Sequence, residues 1–217
     1  VDVPQGADAG GHFAAIFLST IPPATQGGEV SVGAKVGMLI LLRVSGDIKE
    51  DGGVLFALKD NSTKVVTTLP VDFVYRFNNQ GNDRAKPTGS VHINNMFGVE
   101  TDSINANPTE GNVLPKSTRR FDIRWGKNEA PKADASFFSF VKFEMDNFAL
   151  GLYSANLDIT FGLTDKKAKS SLYFFVFPWH LLSVVGGIFL LVILMLKGAL
   201  SRYNKFIIKQ ARLANGK

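Results

Sequence analysis

Three histidines, His12, His92 and His180, are the residues best suited to acid–base or metal chemistry, and their placement argues against both. A zinc site or a Ser-His-Asp arrangement needs imidazoles and carboxylates converging on one point. His12 starts one strand-like run, His92 lies inside another, and His180 sits at the edge of a long apolar run, so their spacing does not gather them. The chain has no cysteine, hence no thiolate metal site, no thiol nucleophile and no disulfide framework. The loop "NNQGND" (78–83) lacks the alternating oxygen ligands and closing glutamate of a calcium loop. Its Asn and Gly read as turn formers instead. "GADAGG" is followed by no helix and so cradles no phosphate. The expectation is a protein with no catalytic residue, no metal and no cofactor.

Charge points away from nucleic acid as well. The net charge is +5, but Lys197, Arg202, Lys205, Lys209, Arg212 and Lys217 all follow Leu196, with no Asp or Glu among them. Without those six the chain carries 18 basic against 19 acidic residues, so its body is near neutral. Nucleic-acid binding needs a basic face across the fold.

The basic tail gains its meaning from what precedes it. Tyr173 to Leu196 is 24 residues with no Asp, Glu, Lys or Arg. A hydrocarbon core of about 30 Å needs roughly 20 apolar helical residues. Pro178 suits a first helical turn, and Trp179 and His180 suit the headgroup level. The pattern predicts a last strand over 171–177 and a membrane helix over 178–197, anchored by Pro178, Trp179, Leu181, Leu182, Phe189, Leu190, Leu191 and Leu196. A buried helix of a soluble fold would need other long apolar segments around it, and the sequence has none. The basic residues Lys197, Arg202, Lys205, Lys209 and Arg212 place the C-terminus in the cytoplasm and the N-terminal body outside the cell membrane. Leu200, Tyr203, Phe206, Ile207 and Leu213 make the tail, 198–217, partly amphipathic, able to continue the helix along anionic headgroups. Ser183 and Gly187 form a small-xxx-small pair through which another helix could approach, although small residues are common in membrane helices anyway.

Upstream, short alternating runs are broken by Gly, Asn, Asp and Pro. "VDFVYRF" alternates Val71, Phe73, Tyr75 and Phe77 against Asp72, Val74 and Arg76. "GSVHINN" sets Val91 and Ile93 opposite His92, and "STRRFDIRW" sets Phe121, Ile123 and Trp125 opposite Arg120, Asp122 and Arg124. Pro115 and Lys116 form the turn that opens the latter strand. "VKFEMDNFALGLYSANLDITFGL" contributes Val141, Phe143, Met145, Leu152, Leu157, Ile159 and Phe161 to the interior. In "ASFFSFVKF", Phe137, Phe138, Phe140 and Phe143 occupy both faces of an alternating pattern. That fits a central strand, or an edge or loop in which Phe137, Phe138 and Phe140 contact a partner or the membrane surface. Strands at this spacing predict an antiparallel, immunoglobulin-like β-sandwich over 48–177. The first 47 residues hold two apolar strands, "GGHFAAIFLS" and "GAKVGMLILLRVSG", joined by the Pro/Gly-rich "TIPPATQGGEVSVG". Two strands bury no core alone. They read as the closing hairpin of an upstream sandwich domain, or as an augmentation of the second domain. "VDVPQGADAGG" has neither the charged nor the apolar region of a signal peptide, so the chain is expected to be the C-terminal part of a longer precursor. A cysteine-free body outside the membrane suits a bacterial surface.

The series "GGHFAAIFLS", "VGMLILLRVSG", "VDFVYRFNNQGN…KPTGSVHINNMFG" and "NVLPKSTRRFDIRW", followed by one apolar helix and a basic tail, resembles bacterial cell-surface proteins of the WxL-interacting type. It is also similar to other membrane-anchored bacterial sandwich proteins. The family resemblance implies two immunoglobulin-like domains and one C-terminal transmembrane helix. It further implies that the first domain binds peptidoglycan and the second a partner surface protein. Most of that first domain is missing here, and no binding residue transfers one by one. The expected function is non-enzymatic: an anchored, extracellular sandwich protein holding a surface or envelope protein at the bacterial cell. The alternative is a structural subunit of an envelope assembly, such as a secretion or pilus-like apparatus. A sensor is less favoured, because the short tail carries no output domain.

Overall fold

The computed structural model describes residues 2–21, 33–60 and 64–214. The Pro/Gly-rich connection at 22–32 and Lys217 lie outside the described residues, as do the side chains of Lys209, Arg212 and Leu213. The strands are β1 (Gly10–Ser19), β2 (Lys35–Val44), β3 (Gly52–Leu58), β4 (Val65–Val66), β5 (Val71–Asn79), β6 (Thr88–Asn95), β7 (Glu100–Asn105) and β8 (Ser117–Trp125). Helix α1 (Phe137–Asp146) follows, then β9 (Gly151–Phe161), β10 (Lys166–Val176) and helix α2 (Trp179–Ala214). The strands form a β1-β2 hairpin, a three-stranded sheet β3-β5-β8 and a five-stranded sheet β4-β10-β9-β6-β7. The protein is thus mainly β, with several sheets and one C-terminal apolar helix.

The chain divides into two compact units, and β5, β8, β9 and β10 contribute residues to both. The first unit comprises Val1–Lys59, Asp72–Ile123 and Ser154–Leu172. Period-two alternation places Phe73, Tyr75, Phe77, Val91, Ile93, Phe121 and Ile123 in its core, as expected. Rings interlock there: Tyr75 stacks on Phe121 at 4.7 Å, and Phe77 meets Phe161 edge-on at 4.8 Å. The Tyr75 hydroxyl donates to the Ala106 carbonyl at 3.1 Å, and burial pushes its pKa up against the pull of Arg119, so it remains a donor. One register expectation fails on β9. Leu152 faces outward, and Tyr153 takes the inward position on β9. Alternation from Gly151 fixes that phase, whereas hydrophobicity alone favoured the leucine.

Asparagines organise the turns of this unit. Asn79 donates to the carbonyls of Asp83 and Val113 at 2.7 and 3.0 Å and accepts from Gly81 N–H. Asn107 likewise donates to Pro87 and Gly111 and accepts from Gly111 N–H at 2.8 Å. These bonds account for the Asn-rich loops through turn chemistry. Asn82 accepts from Lys49 N–H and donates to the carbonyls of Ala9 and Asp47, while Asp83 pairs with Arg43. The base of the β1–β2 hairpin is therefore held by polar bonds. Farther along, Ile16, Met38, Leu18 and Val36 share one exposed face and Phe17, Leu39 and Leu41 the other.

The second unit comprises Asp60–Val71, Arg124–Tyr153 and Tyr173–Lys217. Trp125 packs against Tyr153 at 5.0 Å and Phe174 at 5.8 Å. The short β4 runs parallel to the end of β10, with Phe175 N–H bonded to the Lys64 carbonyl at 2.7 Å and Phe177 N–H to Val66 at 2.8 Å. Segment 137–146 is a helix, which overturns its reading as a strand or loop. Ser136 caps its start by accepting from Ser139 N–H at 3.3 Å, and Asn147 N–H closes its end on the Phe143 carbonyl at 2.9 Å. Its inner line runs through Phe137, Phe140, Val141 and Glu144, a helical spacing that phenylalanines on other faces concealed. Met145, expected inside, is exposed. Helix α2 continues past Lys197 to Ala214.

Glu50 locks the β9–β10 turn in the first unit. Its carboxylate accepts from Leu163 N–H, from Thr164 N–H at 3.1 Å and from the Thr164 hydroxyl at 2.6 Å. Gly162 has φ +79°, and a side chain there would strike the Glu50 carboxylate at 2.5 Å. Burial pushes the Glu50 pKa up, but the bonds from Thr164 and Leu163 and the charge of Lys166 outweigh it and leave the carboxyl below its ordinary value. A depressed folded pKa stabilises above the unfolded value, about 4.3 for glutamate, and that stability is lost as pH falls through the folded pKa. Wild type should therefore exceed Glu50→Gln in denaturant resistance at pH 7, with the gap closing below about pH 4. An equal gap at pH 7 and pH 3 would show that the carboxylate is not the stabilising group.

Candidate functional site at the start of the apolar helix

The start of an α-helix leaves its first N–H groups without intrahelical acceptors and carries partial positive charge. Helix α2 starts directly after the buried Pro178, which has no N–H to satisfy. Glu144, projecting from α1, supplies the missing acceptor: one carboxylate oxygen takes Leu181 N–H at 2.7 Å. The other lies 2.6 Å from His180 Nδ1, which carries the hydrogen when the carboxylate accepts. The Glu144 side chain is only 1% exposed and that of His180 12%, so both partners are shielded from water. This acid caps the helix from outside its own chain segment.

Aromatic rings close around that pair. Phe140 stacks on the His180 ring at 4.6 Å with an 8° interplanar angle. Phe137 meets His180 at 5.4 Å and Trp179 at 6.0 Å, both edge-on, and Phe138 lies 5.8 Å from Phe137. Below α1, Asn128 donates to Asn147 Oδ1 at 2.8 Å, fixing the amide whose Nδ2 bonds the Phe143 carbonyl. The chemistry available is that of a clamp. Ser183, the nearest hydroxyl along the helix, donates to the Trp179 carbonyl at 2.7 Å.

The structure thus gathers Phe137, Phe140, Trp179 and His180 at one point, while Phe138 extends outward from it. Leu181 and Leu182 are half-buried beside the clamp, and Phe189, Leu190, Leu191 and Leu196 are exposed along α2. Ser183 and Gly187 are exposed, and a side chain added at Gly187 would meet nothing. Lys197, Arg202 and Lys205 are exposed on the C-terminal half of α2, and Lys209 and Arg212 belong to its helical backbone. Trp179–Ile208 is long and apolar enough to cross a membrane, and its most apolar stretch has mean hydropathy 2.4 and is uncovered. The other histidines have local partners: His12 Nε2 is 2.8 Å from the Asp8 carbonyl, and His92 Nδ1 is 3.0 Å from Glu100. Among the described residues, no group of three or more His, Asp or Glu side chains could hold a metal. In the first unit a shallow depression of about 310 Å³ is lined by Gly53, Val54, Leu55, Arg76, Asn78 and Thr118, with one cation and no acid.

Sequence reasoning missed Glu144. Its signal was a lone acid in "FVKFEM", three residues after Val141 and four after Phe140, on the inner line of a helix capped by Ser136. No protein-family model matches the chain, and no curated protein matches it.

Replacing Glu144 with Leu strands the imidazole and the Leu181 N–H in an apolar setting. Leaving a buried donor or acceptor unsatisfied costs about 1–3 kcal/mol. Amide exchange of the detergent-solubilised full chain should speed up over 137–146 and at the start of α2. Glu144→Gln, which keeps an acceptor, should change less. Unchanged protection in Glu144→Leu would mean that aromatic packing alone holds α1.

Proposed function

We propose that the chain is a non-enzymatic, single-pass membrane protein of the bacterial cell surface, whose extracellular immunoglobulin-like β-sandwich docks a partner surface or envelope protein. The observation that carries this reading is the apolar helix Trp179–Ile208, uncovered over its most apolar stretch. Exposed Lys197, Arg202 and Lys205 on its distal half favour a cytoplasmic C-terminus. The strand order supports an immunoglobulin-like sandwich: one sheet β3-β5-β8, the other β4-β10-β9-β6-β7, with β4 parallel to the last strand. Rings meet between the two sheets, at Phe77–Phe161 in the first unit and Trp125–Phe174 in the second.

The β1–β2 hairpin supports the docking role. An apolar surface exposed on both faces of a ribbon suits burial against further β structure supplied by a partner. The alternative, a structural subunit of an envelope assembly, draws support from the open surface around Ser183, Gly186 and Gly187, where a neighbouring helix could lie close.

Because the chain has no cysteine, sidedness can be read with single substitutions. Thr118→Cys should react with a membrane-impermeant maleimide on intact cells, and Lys205→Cys only after permeabilisation. The reverse pattern would sink the proposed orientation. Mild-detergent purification should then recover one secreted surface protein in stoichiometric amount. A set of integral membrane subunits, lost on Ser183→Leu/Gly187→Leu, would favour the assembly reading.

A further inference from the structure

Helix α1 is amphipathic in a way that its clamp does not explain. Phe137, Phe140 and Glu144 face the first turn of α2, and Ser139, Lys142 and Asp146 form the polar side. Between them lies a third line, Phe138 and Met145, seven residues apart, 74% and 61% exposed. On a soluble surface such a pair would leave large apolar groups in water. From Phe138 a run of rings leads to Phe137 and on to Trp179, through contacts of 5.8 and 6.0 Å.

We propose that α1 is a membrane-interface helix, with Phe138 and Met145 seated at the headgroup–acyl boundary of the bilayer that α2 crosses. The inference rests on the membrane-spanning reading of α2. Lipid is favoured as the occupant because the exposed line is continuous, through Phe137, with the first residue of the apolar span. Trp179 at that level matches the aromatic belt of membrane helices. Depth follows from the clamp: the Glu144 bonds to Leu181 N–H and His180 hold α1 within the first turn of α2. The polar side, with Lys142 between Ser139 and Asp146, has the composition of the water-facing side of an interfacial helix. Lys142 can also keep its stem along apolar surface with its ammonium in water.

The absence of native cysteines permits a direct depth measurement. Full-length chains carrying Phe138→Cys, Asp146→Cys or Leu191→Cys, all at exposed positions, would be labelled with an environment-sensitive fluorophore. They would then be reconstituted into phosphatidylcholine–phosphatidylglycerol vesicles containing lipids spin-labelled either near the headgroup or deep in the acyl chain. The expected result is quenching at 138 mainly by the shallow label, at 191 mainly by the deep label, and at 146 by neither. Deep quenching at 191 with none at 138 would overturn the interfacial helix and leave the anchor standing. Equal quenching at 138 and 146 would also overturn it, since no side would then face water. Without quenching at 191, the membrane-spanning reading fails and this proposal fails with it.

Discussion

An isolated carboxylate does not remain in an apolar setting unless its lone pairs are used, and Glu144 has both oxygens engaged. The two partners differ in kind. The Leu181 N–H belongs to the first turn of α2, where orphan donors and the helix dipole favour an anion. The imidazole of His180 is a side chain stacked on Phe140 and edged by Phe137. Both bonds exist only when α1 and α2 hold one relative position. A buried polar contact adds only modest net stability, because it replaces bonds to water. Its value lies in specifying one arrangement, because any rotation of α2 by a fraction of a turn would strand the acid.

That constraint explains why an aromatic-rich helix of ten residues can be ordered at all. Short helices are marginal in water, and α1 has no acid in its first turn and no base in its last. Ser136 and Asn147 close its ends, but most of its stabilisation comes from tertiary packing, through ring contacts to Trp179 and His180 along one side. The first unit uses a different device. There Asn79, Asn82 and Asn107 satisfy backbone groups at turns, and Glu50 does the same for the β9–β10 connection. Polar side chains in both units thus fix backbone ends, and rings fill the space between.

Much of the β architecture was legible because alternation is a strong signal where one face is buried. Val71 through Phe77, Val91 with Ile93, and Phe121 through Trp125 all point inward as their spacing requires. The apolar run before the basic tail was equally plain. Segment 137–146 was not, since phenylalanine favours strands and occurs here at 137, 138, 140 and 143, matching both periods in part. The deciding cue was the Ser136 cap with Glu144 on the inner line, and a lone glutamate carries no meaning until its partners at 180 and 181 are known. Pairings across 36 residues, such as Glu144 with His180, lie beyond any local pattern.

The same clamp bears on what the apolar helix can do. A helix joined to its neighbour by a flexible linker can rotate freely about its axis in lipid. Here the first turn of α2 is bonded to α1 through both oxygens of one acid and flanked by Phe137 and Phe140. Because a helix is stiff over many turns, fixing its first turn fixes which way Ser183 and Gly187 face, one and two turns further on. Small residues permit close approach only along their own face. Their direction relative to α1 is therefore set by a side chain outside α2, and changing that side chain would redirect the face without altering the sequence of α2.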